Sequence, residues 1–197
     1  MTQTYRAVLF DMDGTLLEPS IDFRALRERL GVPLSADILD WVFEQPPTQR
    51  ERLNSILLEV EIEAAERSAL LPRARETLEW LTDKGIRHGI LTRNSQEAWD
   101  RIRVRCDLRG IGDVFTREGG PAKPDPACLA PILRRWSVEA SKIVHVGDYL
   151  YDLQLARVTG MHSILIHSSG ANPYPEPSDF IARDHGELLE YLKRLFP

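Results

Sequence analysis

Residues 8–18 read VLFDMDGTLLE, a short apolar run that ends abruptly in two carboxylates and a glycine. Side chains two positions apart in an extended segment point the same way, so Asp11 and Asp13 are expected to face one small volume. Gly14 allows the backbone to turn sharply and to approach a ligand closely. Two carboxylates held that close repel each other, so the rest of the chain has to supply something that compensates their charge.

The apolar run before Asp11 is one of several that alternate with helical patterns along the 197-residue chain. Short, continuously apolar strands separated by helices are typical of a parallel sheet that is covered on both faces. The pattern therefore predicts an α/β fold, a doubly wound parallel sheet with right-handed crossovers. The expected strands are Ala7–Phe10, Arg87–Thr92, Val114–Thr116, Ile143–Gly147, Ser163–His167 and Phe180–Ala182.

One region, residues 17–70, breaks this alternation because it carries only helical signals. Its longest helical segment is apolar on two sides, and such a helix needs packing partners on two sides. We expect residues 17–70 to form a small helical cap that acts as a lid, while residues 1–16 and 71–197 form a discontinuous core. A helical extension with no role at the site is the alternative. The expected segments are Ile21–Leu30, a segment capped by Ser35 that runs through Phe43, and Thr48–Leu70.

The composition excludes some classes of protein. A net charge of −5 argues against a nucleic-acid-binding protein, which would show a basic face. The sequence has no signal-peptide pattern and no apolar run near the ~20 residues that span a bilayer, so we expect no membrane partner. Cys106 and Cys128 lack metal-site spacing, and free thiols are typical of a reducing compartment. We expect a cytoplasmic protein, and the choice between monomer and homodimer stays open.

A second expected strand, Ile143–Gly147, also ends in acidic residues. Asp148 follows it directly, and Asp152 lies four positions further on, where a helix would turn it toward the same cavity. Ligands bind at the carboxyl ends of the strands in doubly wound sheets, so up to four carboxylates meet at one site. A hard divalent cation such as Mg²⁺, which prefers oxygen ligands, relieves a repulsion that would otherwise be prohibitive. Lys123 adds a second positive centre.

Two other motifs for ions and phosphates do not fit. A calcium loop that begins D-x-D needs glycine at its sixth position and a carboxylate, usually glutamate, at its twelfth. Counted from Asp11, the glycine is fourth and the twelfth residue is Asp22. A P-loop is excluded because residues 119–123, GGPAK, lack its spacing and its following serine or threonine.

The acidic strand ends belong to a set of four ordered motifs. The first is Asp11-Met-Asp-Gly-Thr15 after an apolar strand, and the second is Thr92 at the end of a strand. The third is Lys123, and the fourth is Gly147-Asp148-x-x-x-Asp152. Over residues 5 to about 167 this set resembles the haloacid dehalogenase-like (HAD) phosphohydrolases. The resemblance implies a Rossmann-like core with a helical cap after the first strand, closest to the phosphoglycolate-phosphatase-like branch.

The resemblance also implies a role for each residue. Asp11 is the nucleophile that forms an aspartyl-phosphate, and Asp13 protonates the leaving alcohol and then activates water. Thr92 hydrogen-bonds a phosphoryl oxygen whose charge Lys123 stabilises. Mg²⁺ is bound by Asp11, the Asp13 backbone carbonyl and Asp148, with Asp152 acting directly or through a water molecule or a further contact. Gly14, Thr92 and Lys123 are expected to meet the phosphate or the substrate. Arg93 and Asn94, which follow Thr92, either meet it too or are exposed loop residues, and both interpretations stay open.

The implied function is a Mg²⁺-dependent phosphatase of small phosphorylated metabolites. Dehalogenase members carry an aromatic residue in place of Asp13, and phosphonate-cleaving members need a cap lysine, which residues 17–70 lack. A sugar phosphomutase that protects the aspartyl-phosphate from water is the enzymatic alternative. A phosphate- or partner-binding module without catalysis is the other alternative.

Several basic residues and one histidine have two readings each. Arg24, Arg27 and Arg50 in the insertion either recognise an anionic substrate tail or lie on a solvated helix face, and we favour the latter. His145, inside an apolar strand near Asp148, is expected to be a hydrogen-bonded core histidine rather than a ligand.

Overall fold

The sheet at the centre of the molecule is entirely parallel, as the sequence predicts. The computed structural model describes residues 4–197, and the strand order of the sheet is β3-β2-β1-β4-β5-β6. Every expected strand is present, with its ends within one residue of the prediction. The strands are β1 (Ala7–Phe10), β2 (Arg87–Leu91), β3 (Val114–Phe115), β4 (Ile143–Gly147), β5 (His162–Ile166) and β6 (Phe180–Ala182).

Helices connect the strands, and the first three lie between β1 and β2. Within residues 4–197, no helix has both the length and the apolar character needed to cross a membrane. The helices are α1 (Phe23–Leu30), α2 (Ile38–Phe43), α3 (Pro47–Arg67), α4 (Ala74–Asp83), α5 (Gln96–Arg105), α6 (Ala130–Trp136), α7 (Leu150–Thr159) and α8 (His185–Leu195). Short 3₁₀ turns occupy Arg117–Gly119, Pro126–Leu129 and Ala140–Lys142.

The start of α2 differs from the prediction that Ser35 caps it. Asp37 is the capping residue, because its carboxylate accepts hydrogen bonds from the backbone N–H groups of Leu39 and Asp40 at 2.9 and 3.1 Å. Aspartate satisfies these free N–H groups as well as serine does, so residue type alone did not choose between the two positions.

Both faces of the sheet are buried, because successive residues of β1 point to opposite sides. Val8 and Phe10 pack in a cluster with residues of α4, α5 and α8. Ala7 and Leu9 pack in a second cluster with residues of α6 and α7. The four residues of β1 are fully shielded from solvent, which explains why the strand is apolar without alternation.

The helical region between β1 and β2 has its own apolar cluster, which includes Leu26, Val42, Leu53 and Leu57. The chain leaves the sheet and returns to it at adjacent points. The Glu18 N–H donates to the Ala69 carbonyl, and the Leu71 N–H donates to the Leu16 carbonyl, each at 2.9 Å. The assignment of residues 17–70 as a separate cap stays a prediction, and these paired segments mark where its hinge would lie.

The topology decides where the site lies. The order of the strands reverses between β1 and β4, which are neighbours in the sheet although one is first and the other fourth in the chain. At such a switch point the following connections run to opposite sides, and a crevice opens beyond the carboxyl ends of the two strands. Asp11 and Asp148 are the residues that directly follow these ends.

We predict that Leu81→Ala, at a fully buried position in α4, lowers the free energy of unfolding by about 2–5 kcal/mol. The leucine side chain packs between the helix and the sheet, so the truncation removes apolar contacts and leaves a cavity. Urea denaturation of the variant and of the wild type measures the difference. Leu34→Ala is the matched control, since Leu34 is 88% exposed; equal losses in both variants would contradict the packing described above.

Candidate active site

Three carboxylates meet at the carboxyl ends of β1 and β4. Asp11 follows β1, Asp148 follows β4, and Asp152 lies in the first turn of α7. One oxygen from each lies within 4.8 Å of the other two. The two strand ends therefore bring three of the up to four expected carboxylates into one group, and Asp13 is not part of it.

Lys123 supplies positive charge inside this group. Its side chain is 2% exposed, and its ammonium donates hydrogen bonds to Asp11 and, at 2.7 Å, to Oδ1 of Asp152. Burial alone would lower the pKa of Lys123, but the charges of Asp11 and Asp152 outweigh burial and raise that pKa. Breaking a buried, hydrogen-bonded ion pair costs about 3–5 kcal/mol, so Lys123 is a fixed cation at the strand ends.

Asp152 has three polar partners, Lys123, His145 and the Tyr149 N–H, and it positions Lys123. Its Oδ1 also lies 3.2 Å from Nε2 of His145, and its Oδ2 accepts from the Tyr149 N–H at 3.2 Å. His145 is a hydrogen-bonded core residue, as predicted, because its Nδ1 lies 3.0 Å from the Leu9 carbonyl oxygen. Burial raises the pKa of Asp152, but Lys123 and His145 outweigh burial and hold it below its ordinary range. Both oxygens of Asp152 therefore already have partners.

One lysine does not balance three carboxylates. Burial raises the pKa of Asp11 although Lys123 opposes the shift. Burial, followed by the charges of Asp11 and Asp152, raises the pKa of Asp148 to about 8. A surplus of buried negative charge on hard oxygen donors fits a divalent cation such as Mg²⁺. Asp11 and Asp148 are the carboxylates best placed to bind it.

Two glycines leave room for these carboxylates. Gly14 has φ of +74°, and a Cβ at this position would lie 2.1 Å from Oδ2 of Asp148. A Cβ at Gly147 would lie 2.2 Å from Cγ of Asp152. The Thr15 hydroxyl donates to Oδ1 of Asp148 at 3.4 Å. Gly14 was expected to approach a ligand, whereas the group packed against it here is the Asp148 carboxylate.

Asp13 has a different partner from Asp11. The side-chain amide of Asn94 donates a hydrogen bond to Oδ2 of Asp13. Burial, followed by the charge of Asp11, raises the pKa of Asp13 to about 7, although the Asn94 hydrogen bond lowers it. Thr92 is buried beside them, and its Oγ1 accepts from the Asn94 N–H at 3.1 Å. A carboxyl group with a pKa near 7 is suited to give and take a proton at neutral pH.

Arg93 connects the core to the helical region. Its guanidinium donates to both carboxylate oxygens of Asp37 at 2.6 and 2.7 Å and to the Lys123 carbonyl at 3.0 Å. It also lies 4.6 Å from the centre of the Tyr151 ring. Burial raises the pKa of Asp37, but Arg93 outweighs burial and lowers it. In this structure the Arg93 guanidinium therefore binds a carboxylate of the protein itself.

A second contact joins the helical region to the core, and it is formed by Glu61 of α3. Its carboxylate is 3% exposed, accepts from the Arg117 guanidinium and accepts from the Ser95 N–H at 3.2 Å. Burial raises the pKa of Glu61, and Arg117 opposes that shift. The sequence interpretation missed Glu61, although a signal was present. The residue continues the buried stripe of Leu53 and Leu57 at intervals of four, where a charged residue is out of place unless paired.

The site forms a cavity of about 460 Å³ between the strand ends and the helical region. All predicted site residues except Gly14 line it, together with Glu61, Asp37, Tyr149 and Tyr151. Pockets of this volume with a few convergent polar groups are typical of small-molecule sites. The cluster of acidic side chains, the fixed lysine and a carboxyl group of raised pKa together suit phosphoryl chemistry.

A family model described as haloacid dehalogenase-like hydrolase matches residues 5–160. The chain belongs to this family, which confirms the resemblance carried by the four motifs. It is an enzyme of the phosphohydrolase class, close to the phosphoglycolate-phosphatase branch.

Two relatives and one solved structure illustrate the similarity. An uncharacterized hydrolase of Saccharomyces cerevisiae is 29% identical over 96% of this chain and 92% of its own length. A phosphoglycolate phosphatase of Pseudomonas fluorescens is 29% identical over 93% of this chain and 78% of its own length. The crystal structure of a hydrolase from Pseudomonas syringae shares the fold, with a TM-score of 0.79 and 19% identity over 98% of this chain and 100% of that one.

We predict that Asp37→Asn loosens the helical region. Asparagine retains the capping bonds of α2 but loses the charged bonds to Arg93, and the free energy of unfolding falls by about 1–3 kcal/mol. Limited proteolysis of residues 33–47 becomes faster, and mass spectrometry of the fragments locates the cleavage. Asp40→Asn, at an exposed position three residues away, is the control. Equal protease resistance of the two variants would contradict a contact that holds the helices to the core.

Proposed function

We propose that the protein is a Mg²⁺-dependent phosphomonoester hydrolase that forms an aspartyl-phosphate on Asp11. The observation that carries this proposal is the pairing of two unlike carboxyl groups at the end of β1. Asp11 is held by a fixed ammonium, whereas Asp13 has a pKa near 7 and faces an amide. Burial raises the pKa of Asp11 too, but the Lys123 ammonium opposes that shift and so favours the charged, nucleophilic form of Asp11. Two carboxyl groups with such different partners suit a nucleophile and an acid.

The positions of the side chains define the chemical steps. The Asp11 carboxylate attacks phosphorus, and Lys123 stabilises the charge on the nucleophile and on a phosphoryl oxygen. The Thr92 hydroxyl donates to another phosphoryl oxygen. A bound Mg²⁺ would be held by Asp11 and Asp148 and would supply the positive charge that these buried carboxylates lack. Asp152 holds Lys123 in place through the 2.7 Å hydrogen bond between them.

Asp13 moves the proton in both halves of the reaction. It donates its proton to the leaving alcohol oxygen while the O–P bond breaks, which leaves Asp13 ionised. It then accepts a proton from the water that attacks the aspartyl-phosphate, so inorganic phosphate is released and Asp11 and Asp13 return to their starting states. One group serves both steps because its pKa lies close to neutrality.

The relatives and the chemistry of the cysteines add support. A relative named phosphoglycolate phosphatase favours a small phosphorylated substrate, and the 460 Å³ cavity has room for one. Cys106 and Cys128 are both buried and free, which favours the reducing cytoplasm as the location.

We predict that the wild type releases phosphate from 4-nitrophenyl phosphate only with Mg²⁺, and that Asp11→Asn lowers kcat/KM by about 10³-fold or more. The amide cannot replace the carboxylate as a nucleophile. A colorimetric phosphate assay measures the rates, and Asp83→Asn at an exposed position is the control. Persistent turnover in Asp11→Asn would overturn the assignment. A requirement for a bisphosphate activator would instead indicate the phosphomutase alternative.

We also predict that Asn94→Ala moves the alkaline limb of the pH–kcat/KM profile to higher pH. The Asn94 amide stabilises ionised Asp13, so its removal raises the pKa of Asp13 further and keeps the acid protonated at higher pH. A charge-assisted hydrogen bond corresponds to about one pH unit. Gln96→Ala, exposed two residues away, should leave the profile unchanged. An alkaline limb that stays in place in Asn94→Ala rules out Asp13 as the acid.

A further inference from the structure

The wall of the cavity opposite the carboxylates is apolar. It is formed by residues of the helical region, which include Pro19, Ile21, Phe23, Ile38 and Leu39. The Phe23 side chain at this wall is 55% exposed. Burying an aromatic side chain of this size would stabilise the folded protein by about 1.5–3 kcal/mol. An exposed aromatic group beside a cavity is a surface suited to cover an apolar ligand.

Within residues 4–197, no unpaired basic side chain lines the cavity that could receive a second anionic group on a ligand. Two basic residues, Arg93 and Lys123, line it. Arg93 is neutralised by Asp37, and Lys123 is neutralised by Asp11 and Asp152. The phosphoryl group itself is expected to use Lys123 and the divalent cation.

Two carboxylates of the helical region also line the cavity. Glu61 belongs to α3, and Asp37 stands at the start of α2. Both carboxylates have partners, yet neither partner carries charge in excess of theirs. Desolvating a carboxylate or a second phosphate of the ligand here would therefore cost free energy that no counter-ion offsets.

Arg24, Arg27 and Arg50, which were considered as binding groups for an anionic substrate tail, have other partners in the structure. Arg24 lies 3.8 Å from Glu28, and Arg27 donates to the carbonyls of Pro33 and Ala36. Arg50 donates to a backbone carbonyl at the end of α2. None of the three lines the cavity in the described part of the chain. Arg24 lies on an exposed helix face as favoured, whereas Arg27 and Arg50 are half-buried and bind backbone carbonyls.

Aromatic side chains continue the wall on the core side. Tyr149 and Tyr151 line the cavity, with ring centres 5.1 Å apart in an edge-to-face arrangement. The Tyr174 ring packs edge-to-face against the Tyr149 ring, with ring centres 5.5 Å apart. Paired rings of this kind are rigid and present flat apolar surface, which suits a planar or branched apolar group in the cavity.

We propose that the substrate is a phosphomonoester whose alcohol part is uncharged and apolar, an aromatic or branched aliphatic group. This inference rests on the proposed function and names its substrate class. The phosphoryl group binds at the strand ends, while the apolar body packs between the helical wall and the tyrosines. Substrates with a carboxylate beside the phosphate, such as phosphoglycolate, fit this cavity poorly.

The test compares benzyl phosphate with 4-carboxybenzyl phosphate, which differ by one carboxylate that a methylene group insulates from the reacting bond. With Mg²⁺ present, we expect kcat/KM to favour benzyl phosphate at least about tenfold, which corresponds to 1.4 kcal/mol. Equal or inverted preference overturns the inference while leaving the hydrolase intact. If neither of these two compounds nor 4-nitrophenyl phosphate is hydrolysed, the result overturns the proposed function instead.

A variant shows whether the helical wall sets this preference. Phe23→Arg adds a cation at the wall, so the preference for benzyl phosphate should fall by about fivefold or more. Leu34→Arg makes a comparable change at a residue that is 88% exposed and does not line the cavity, so its preference should match the wild type. Circular dichroism checks that both variants are folded. An unchanged preference in folded Phe23→Arg contradicts the proposed position of the alcohol part.

Discussion

The constraint on which the site depends is the repulsion among buried carboxylates at the ends of β1 and β4. Water screens charges poorly in this partly buried group, and the protein places the Lys123 ammonium between Asp11 and Asp152. Lys123 compensates only part of the charge, which leaves Asp148 with a pKa of about 8. The cluster therefore keeps a surplus of negative charge, which a divalent cation is suited to balance.

The sheet topology and the glycines make this crowding possible. Parallel strands that reverse order at β1 and β4 deliver two strand ends to one crevice. Gly14 and Gly147 then remove the Cβ atoms that would otherwise occupy the positions of Asp148 and Asp152. Gly14 thus makes space for a carboxylate that follows the other strand, whereas Gly147 makes space for the Asp152 carboxylate of the helix that follows its own strand.

The sequence predicted the features that depend on local pattern, and it missed those that depend on distant partners. The strands and the acidic ends around Asp11 and Asp148 follow from short apolar runs and motif spacing. Arg93 and Asp37 were visible only as single charges, because their pairing across 56 positions depends on how the helices pack on the core. Glu61 was missed for the same reason, since its partner Arg117 is also 56 positions away.

The two long-range ion pairs neutralise charged side chains of the helical region where it contacts the core. Glu61 and Asp37 supply the carboxylates of these pairs, and Arg117 and Arg93 of the core supply the guanidinium groups. The opposite charges neutralise each other at the contact. What the helices then present to the cavity is chiefly apolar surface. Under the proposed function, phosphate recognition would therefore fall to the strand ends, and recognition of the alcohol part would fall to shape and apolar contact. Arg93 binds Asp37 through Nη2 and the Lys123 carbonyl through Nη1, so a ligand that meets Arg93 has only its remaining N–H groups to bind.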